Sequence, residues 1–349
     1  MGEPIEVDVA IVGAGLSGLT LACALVHSAP RLRLAIIDKR TSAPEPLADM
    51  PDLRVSALTP GSIANFDTLG VWQHLPPTHV TPFRGMRVWD AGTDAGNGVA
   101  FSALDSGRSD LGAITDNAML RWQLHQALCT ERNIQWIDAG VTDLLTQRGS
   151  ASLTLEHGQS IVCRLIVGAD GRNSSVRRLA GLAVHGWSHE QQAVVCHLNA
   201  EMAHEGVALQ RFLASGPLAL LPLSEQRVSL VWSTSPTAAE QLLAMDDDAF
   251  ADAVTEASDE VLGRLQPITG RAAFTLVSQY AEQVIGERVV LIGDAAHAIH
   301  PLAGQGANLG FSDAAALAAS LQLALARRED VGDAPVLRRF RRARKADNV

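Results

Sequence analysis

Val7-Asp8-Val9-Ala10-Ile11-Val12-Gly13-Ala14-Gly15-Leu16-Ser17-Gly18 is an apolar run that breaks into a glycine-rich turn, and Leu19 to Val26 follows at helical spacing. The pattern reads as strand, turn and helix. Its glycines fall in the arrangement G-x-G-x-x-G. Gly13 permits the tight turn, Gly15 lets the backbone approach a pyrophosphate, and Gly18 lets the helix pack on the strand. A second apolar run, Leu34-Ala35-Ile36-Ile37, ends at Asp38, twenty residues beyond Gly18, the spacing of a carboxylate that binds a ribose. Alone, the glycines would be weak evidence and Asp38 a solvated strand end. Together they predict a dinucleotide-binding βαβ unit.

A second glycine-rich string lies nearly three hundred residues downstream: Gly293-Asp294-Ala295-Ala296-His297-Ala298-Ile299-His300-Pro301-Leu302-Ala303-Gly304-Gln305-Gly306-Ala307-Asn308-Leu309-Gly310. It follows the strand-like run Val289-Val290-Leu291-Ile292 and opens into a helical pattern, Phe311 to Leu325. Such an arrangement aims backbone N–H groups and the positive end of a helix dipole at one point, so an electron-rich group is expected there.

Composition narrows the class. A chain of 349 residues exceeds one ordinary core and predicts two closely packed domains, and 47% hydrophobic residues suit a globular enzyme. The net charge of -10 argues against nucleic acid as a partner. Cys23, Cys129, Cys163 and Cys196 form no C-x-x-C pair and read as reduced structural thiols of a cytoplasmic protein. No metal-ligand spacing stands out. Residues 7–26 are apolar enough for a signal peptide or membrane span, but Glu3, Glu6 and Asp8 favour a buried strand and helix, and no span is expected elsewhere. Lys39 and Lys345 are the only lysines, which argues against Schiff-base catalysis. The basic tail, Arg338 to Lys345, reads as a solvated helix face, with peripheral contact to anionic lipid as the alternative.

Between the two strings, Arg54 to Leu58 leads into a helix over Pro60–Leu69, and residues 80–112 suggest loops and brief strands. Asp116 to Thr130 has helical spacing. Ser152 to Leu155, His157-Gly158 and Ile161 to Val167 resemble a hairpin. Strands are expected at Ala208–Leu213, Leu218–Leu221 and Val228–Trp232, one helix over Ala238–Leu265, and a strand at Phe274–Ser278.

A third motif, Leu165-Ile166-Val167-Gly168-Ala169-Asp170-Gly171-Arg172-Asn173-Ser174-Ser175-Val176-Arg177, is a strand, a D-G turn and a helix start. In order with the two glycine strings, it resembles the three-part signature of the class A flavoprotein hydroxylases, over almost the whole chain. Within that group the chain is similar to the ubiquinone-biosynthesis hydroxylases. His204-Glu205-Gly206, Gln210-Arg211-Phe212, Gly216 to Pro222 and Ser229-Leu230-Val231-Trp232 most resemble the 2-polyprenyl-6-methoxyphenol hydroxylase branch. The resemblance implies an α/β fold like that of para-hydroxybenzoate hydroxylase: a Rossmann-like FAD-binding domain (1–75, 101–185 and 280–349) and an inserted, mostly β substrate domain (76–100 and 186–279). It implies FAD as cofactor and NAD(P)H as co-substrate, with O2 and a polyprenylated phenol as the other reactants. Other ubiquinone-biosynthesis proteins are the expected partners, a homo-oligomer an open assembly, and the location cytoplasmic or peripheral at the inner membrane.

The same resemblance assigns residues. Gly13, Gly15 and Gly18 lie under the FAD pyrophosphate, Asp38 on the adenosine ribose with Lys39 beside it, and Val141 gives a backbone contact to adenine. Arg54 approaches the FAD phosphates and the nicotinamide side. Asn117 starts a helix facing the cofactor where many relatives carry Arg or Gln. Asp170 helps join the FAD and NAD(P)H surfaces, and Asp294 contacts the ribityl or pyrophosphate region. Gly304, Gln305 and Gly306, with Ala307 and Asn308, would direct N–H groups at the charge of the reduced flavin, a stabilisation of about 2–4 kcal/mol. Pro301 shapes the turn on the oxygen-reactive face. Phe212, Leu218, Leu220 and Trp232 are the candidate substrate wall, with ordinary core as the competing reading of each. His297 and His300 could assist phenol deprotonation, although a packed structural role is favoured. No second strand-linked G-x-G-x-x-G appears, consistent with transient docking of NAD(P)H.

The rival readings are a related halogenase, a prenyl-chain reductase, and a flavin-binding scaffold without turnover. A halogenase would show W-x-W-x-I-P and a catalytic lysine, and neither is present; the intact 301–306 stretch argues against the scaffold. Relatives are expected to continue for a further helical segment beyond Val349, which bears on oligomerisation and activity.

Overall fold

The first glycine turn does what its spacing requires: Val9–Val12 and Leu34–Asp38 are parallel neighbours joined by helix α1 (Leu16–Ser28). The computed structural model describes residues 3–46, 51–299 and 306–347. The remaining described helices are α2 (Pro60–Thr68), α3 (Asn117–Leu128), α4 (Ser175–Leu179), α5 (Pro236–Ala244), α6 (Asp247–Ala257), α7 (Gly306–Ala326) and α8 (Ala334–Asp347).

A six-stranded sheet forms the middle layer, in the order Ile285–Gly286, Val289–Leu291, Leu165–Gly168, Val9–Val12, Leu34–Asp38, Ile134–Asp138. All but the first of these pairings are parallel. Both faces are covered, which is why these strands read as continuous apolar runs. Val9, Ile11, Leu34 and Ile36 pack under α1, α3, α7 and α8. Ala10, Val12, Ala35 and Ile37 pack against a four-stranded sheet that includes Ser150–Leu155, Ser160–Cys163 and Val141–Gln147. Buried Leu and Ile side chains of this kind contribute about 1.5–3 kcal/mol each.

The other large element is a nine-stranded sheet. It runs from His297–Ala298 through Ala272–Ala281, Val184–Ala200, Arg227–Thr234, Gly216–Pro222, Val207–Leu213 and Gly85–Asp90 to Val99–Ser102, with Leu265–Pro267 paired to Val184–Ala200. One of its faces is covered by α5 and α6, through Leu242, Phe250 and Val254. Part of the other packs against a three-stranded sheet of Val55–Leu58, Gly112–Asp116 and Val80–Phe83. The single helix expected over Ala238–Leu265 is instead α5, a break at Met245, α6 and a strand. Asp246 makes the break: its carboxylate caps α6 by accepting from Ala249 N at 2.8 Å, and Asp247 and Asp248 sit favourably in the first turn.

Among the described residues α7 alone is long and apolar enough to cross a membrane, and half of its most apolar stretch is buried in the molecule. Phe311 of α7 meets Phe66 of α2 edge-on at 4.8 Å between ring centres. In α8, Val336, Leu337 and Phe340 are buried while Arg338, Arg341, Arg342 and Lys345 stay exposed. Cys23, Cys163 and Cys196 are buried free thiols, each pushed up to about 12 by desolvation, which leaves them inert at neutral pH.

Candidate active site

The first glycine turn is built by close approaches that only glycine allows. Gly13 has φ +115°, and a Cβ there would overlap the Ala169 carbonyl; one on Gly18 would overlap the Gly13 carbonyl. Gly15 differs, for nothing lies within 4 Å of where its Cβ would point. The N-terminus of α1 has no side-chain cap and no acid in its first turn, whereas α2 to α6 are each capped by a side chain. Open space at Gly15 and an uncapped helix start are what an incoming pyrophosphate needs. The residues present therefore fit FAD.

Around this turn the side chains are fixed by one another. Asp38 accepts from Ala14 N at 2.8 Å and from Arg40 N at 3.1 Å, which sets its carboxylate against the turn. Arg121, on α3, donates to the Ala14 carbonyl at 2.8 Å and to the Arg40 and Ser42 carbonyls at 3.2 and 3.1 Å. It clamps the glycine turn to the end of the second strand. Desolvation lowers the Arg121 pKa, opposed by the Asp38 charge. Sequence reading missed Arg121, although it stands four residues after Asn117 and so on the same helix face. Asn117 itself accepts from Ser56 Oγ at 2.7 Å, tying α3 to the strand beside Arg54.

The two distant glycine strings meet at Ser17. A Cβ on Gly293 (φ +58°) or on Gly310 would run into the Ser17 side chain, so the late turn and α7 lie directly against the start of α1. Asp313 of α7 secures this junction. Its carboxylate accepts from Gly293 N at 2.9 Å, from His297 Nε2 at 2.7 Å and from Arg344 Nε of α8 at 2.6 Å, and all but 2% of the residue is buried. Removing one partner of such a buried pair typically costs about 3–5 kcal/mol. His297 is thus a structural partner of Asp313, the packed role that the sequence favours over phenol deprotonation. Burial pulls its pKa down, but the hydrogen bond and charge of Asp313 outweigh that and leave it raised.

Asp294 projects from this turn into a recess that is open to solvent yet crowded by protein. Desolvation raises its pKa, against the charges of Arg54, His297 and Arg172. Arg54 lies over the Phe274 ring at 5.8 Å, which puts the large sheet beside the same recess. Within a few residues the chain passes from Val289–Leu291 of the six-stranded sheet to His297–Ala298 of the nine-stranded one. The glycine string is therefore the junction of the two halves.

Other assigned residues have local duties. Asp170 accepts from Ser174 Oγ at 2.5 Å and from Ser175 N at 2.6 Å, which makes it the bracket of the D-G turn. Arg177 of α4 then donates to the Ala295 and Arg172 carbonyls at 2.9 and 2.8 Å, linking that turn to the late string. Asn308 accepts from Thr59 N and Ser62 Oγ and donates to the Ala57 carbonyl, so its side chain joins α7 to α2, while the backbone N–H groups of Gly306 and Ala307 begin the helix. Lys39 is on the rim with Glu156 at 3.3 Å, and Val141 is buried where the four-stranded sheet meets the middle layer. His300, Pro301, Gly304 and Gln305 lie outside the described residues.

The expected substrate wall is corrected. Leu218 and Leu220, each 1% exposed, and Trp232 face α5 and α6, where they are core. Strand alternation puts Phe212 on the opposite face with Gln210, Ala219, Val231 and Val195. That face is continuous with Leu53 and Leu276, next to Arg54.

Residues 6–346 match the family model described as FAD binding domain. The fold is shared with PqsL, a probable FAD-dependent monooxygenase from Pseudomonas aeruginosa (TM-score 0.80, 21% identity, 97% of this chain and 92% of that one). It is also shared with p-nitrophenol 4-monooxygenase PnpA from Pseudomonas putida (TM-score 0.71, 18% identity, 97% and 84%). In sequence the chain is 33% identical to the 3-demethoxyubiquinol 3-hydroxylase of Escherichia coli (98% of this chain, 86% of the relative). It is 33% identical to the mitochondrial ubiquinone biosynthesis monooxygenase COQ6 of Xenopus tropicalis (99% and 84%) and 34% to the ubiquinone hydroxylase UbiL of Rhodospirillum rubrum (98% and 78%). Fold and cofactor cradle thus define an FAD-dependent monooxygenase of the class A architecture. Within it, the chain belongs to the ubiquinone-biosynthesis hydroxylase family.

Proposed function

We propose that this chain hydroxylates the ring of a polyprenylated phenol on the way to ubiquinone, with 2-polyprenyl-6-methoxyphenol as substrate. The observation that carries the reading is the recess where Asp294 and Arg54 of the cofactor cradle adjoin the apolar sheet face of Val195, Val231 and Leu276. In the overall reaction one O2, one NAD(P)H and one proton convert a ring C–H to C–OH, releasing NAD(P)+ and water. FAD, when bound, supplies the electron relay between NAD(P)H and O2. The chain's own residues bind, orient and keep dry. Gly13, Gly15, Gly18 and Asp38 take the dinucleotide, with Arg121 holding their turn. Asp294 and Arg54 hold the middle of the cofactor. The N–H groups at the start of α7 would face the charge that develops on reduction.

The flavin-binding part comprises 1–75, 101–185 and 280–349 in this reading, and the substrate part 76–100 and 186–279. The strands Val99–Ser102, Val184–Ala200 and Ala272–Ala281 cross those limits by a few residues, so the two parts share strands at their borders. The similarity to 3-demethoxyubiquinol 3-hydroxylase makes that ring position the second reading. Complementation separates them: expressed in bacteria lacking one ring hydroxylase at a time, the chain restores ubiquinone in the strain that accumulates 2-polyprenyl-6-methoxyphenol under the first reading, and in the strain that accumulates 3-demethoxyubiquinol under the second. Failure in every such strain, with the protein present and yellow, overturns the assignment.

A further inference from the structure

Gln210 lies in the strand Val207–Leu213, only 6% exposed, and its amide oxygen has no hydrogen-bond partner. A buried acceptor left unpaired is costly, so a side chain of this kind needs a reason. The residues directly opposite it are Ala219 and Val88, and the same face of its own strand carries Ala208 and Phe212. The diagonal neighbours, Pro217, Leu221, Met86 and Asp90, offer no side-chain donor. Two other side chains of this face have unpaired polar atoms, His197 at Nδ1 and Ser229 at Oγ, but these residues stand directly opposite each other and a rotation joins them. Gln210 has no such recourse.

Its row of the sheet continues through Ala219 and Val231 to Val195, and that apolar floor packs with Leu53, beside Arg54 and the Asp294 recess. We propose that Gln210 holds the phenolic hydroxyl of the substrate: Oε1 accepts the O–H while the ring lies on Ala219, Val231 and Val195. The amide is neutral, so it keeps the proton on the phenol yet draws it outward, which enriches the ring for attack by an electrophilic oxygen. This rests on the hydroxylase reading above and adds the group that selects a free phenol over its ether.

Gln210→Met keeps length and volume and removes the amide. Two measurements follow: flavin absorbance of the holoprotein titrated, without reductant, with a diprenylated phenol and with its O-methyl ether; and thermal melting of the FAD-free chain. Expected are about tenfold weaker phenol binding with ether binding unchanged, the scale of one lost hydrogen bond to a buried group, and a melting temperature at or above that of wild type. A variant that binds phenol as wild type does overturns the assignment of Gln210 and leaves the hydroxylase reading standing. A variant that melts well below wild type also overturns it, because the amide then has a structural partner. A wild type that binds neither compound overturns the hydroxylase reading, and the role of Gln210 with it.

Discussion

Gly15 and Gly18 stand three residues apart and answer to different demands. Gly15 has ordinary extended backbone (φ −82°, ψ −176°) and open space around it, so Ala fits the fold. Its new methyl group would stand where the pyrophosphate approaches. Gly15→Ala should therefore melt like wild type without FAD while binding FAD at least about tenfold more weakly, by titration of the FAD-free chain. Gly18→Ala should instead lower the melting temperature, because its Cβ meets the Gly13 carbonyl. Equal FAD affinity in Gly15→Ala and wild type would remove Gly15 from the cofactor site. These glycines and Asp38 were legible because their geometry is local, set within one βαβ unit. Arg121 and Asp313 were not, since each gains its meaning from segments remote in sequence: Asp313 from Gly293 on one side and Arg344 on the other.

At the scale of elements, α7 carries the junction. Gly310 lets it touch α1, Asn308 pins it to α2, and Asp313 gathers the late turn, His297 and α8. The His297–Asp313 pair gives a pH signature. The folded-state pKa of His297 is raised, so the stability contributed by the pair is complete below the ordinary histidine value of about 6.5 and is lost as pH rises through the folded-state value. In thermal melts from acid to mildly alkaline pH, the advantage of wild type over His297→Gln should shrink as pH rises. An advantage constant across that range would mean that the histidine does not titrate against Asp313. Apolar runs made Val9–Val12, Leu34–Asp38 and Val289–Leu291 readable, and helical period made α3 readable. The period failed at Ala238–Leu265, where Asp246 restarts a helix. It also could not say which face of the large sheet meets the cofactor, because both faces of Gly216–Pro222 are apolar. Leu218 and Leu220 fall on the face that α5 and α6 cover.

For the whole molecule, two sheets are joined where the chain crosses from one to the other in the stretch that binds α7 to α1. The meeting of the three motifs was legible in the sequence, since strands that end in glycine turns at one edge of a parallel sheet place their ligands together there. The position of the inserted sheet over that edge came only from its tertiary packing. The central claim is that this arrangement transfers one oxygen atom to a ring. Its most direct test is a single incubation of the purified chain with FAD, NAD(P)H, a polyprenylated phenol and isotopically heavy O2, followed by mass analysis of the phenol. The account predicts one heavy oxygen atom in the ring per NAD(P)H consumed, with oxidation of NAD(P)H accelerated by the phenol. Oxidation that ignores the phenol and leaves its mass unchanged would contradict it.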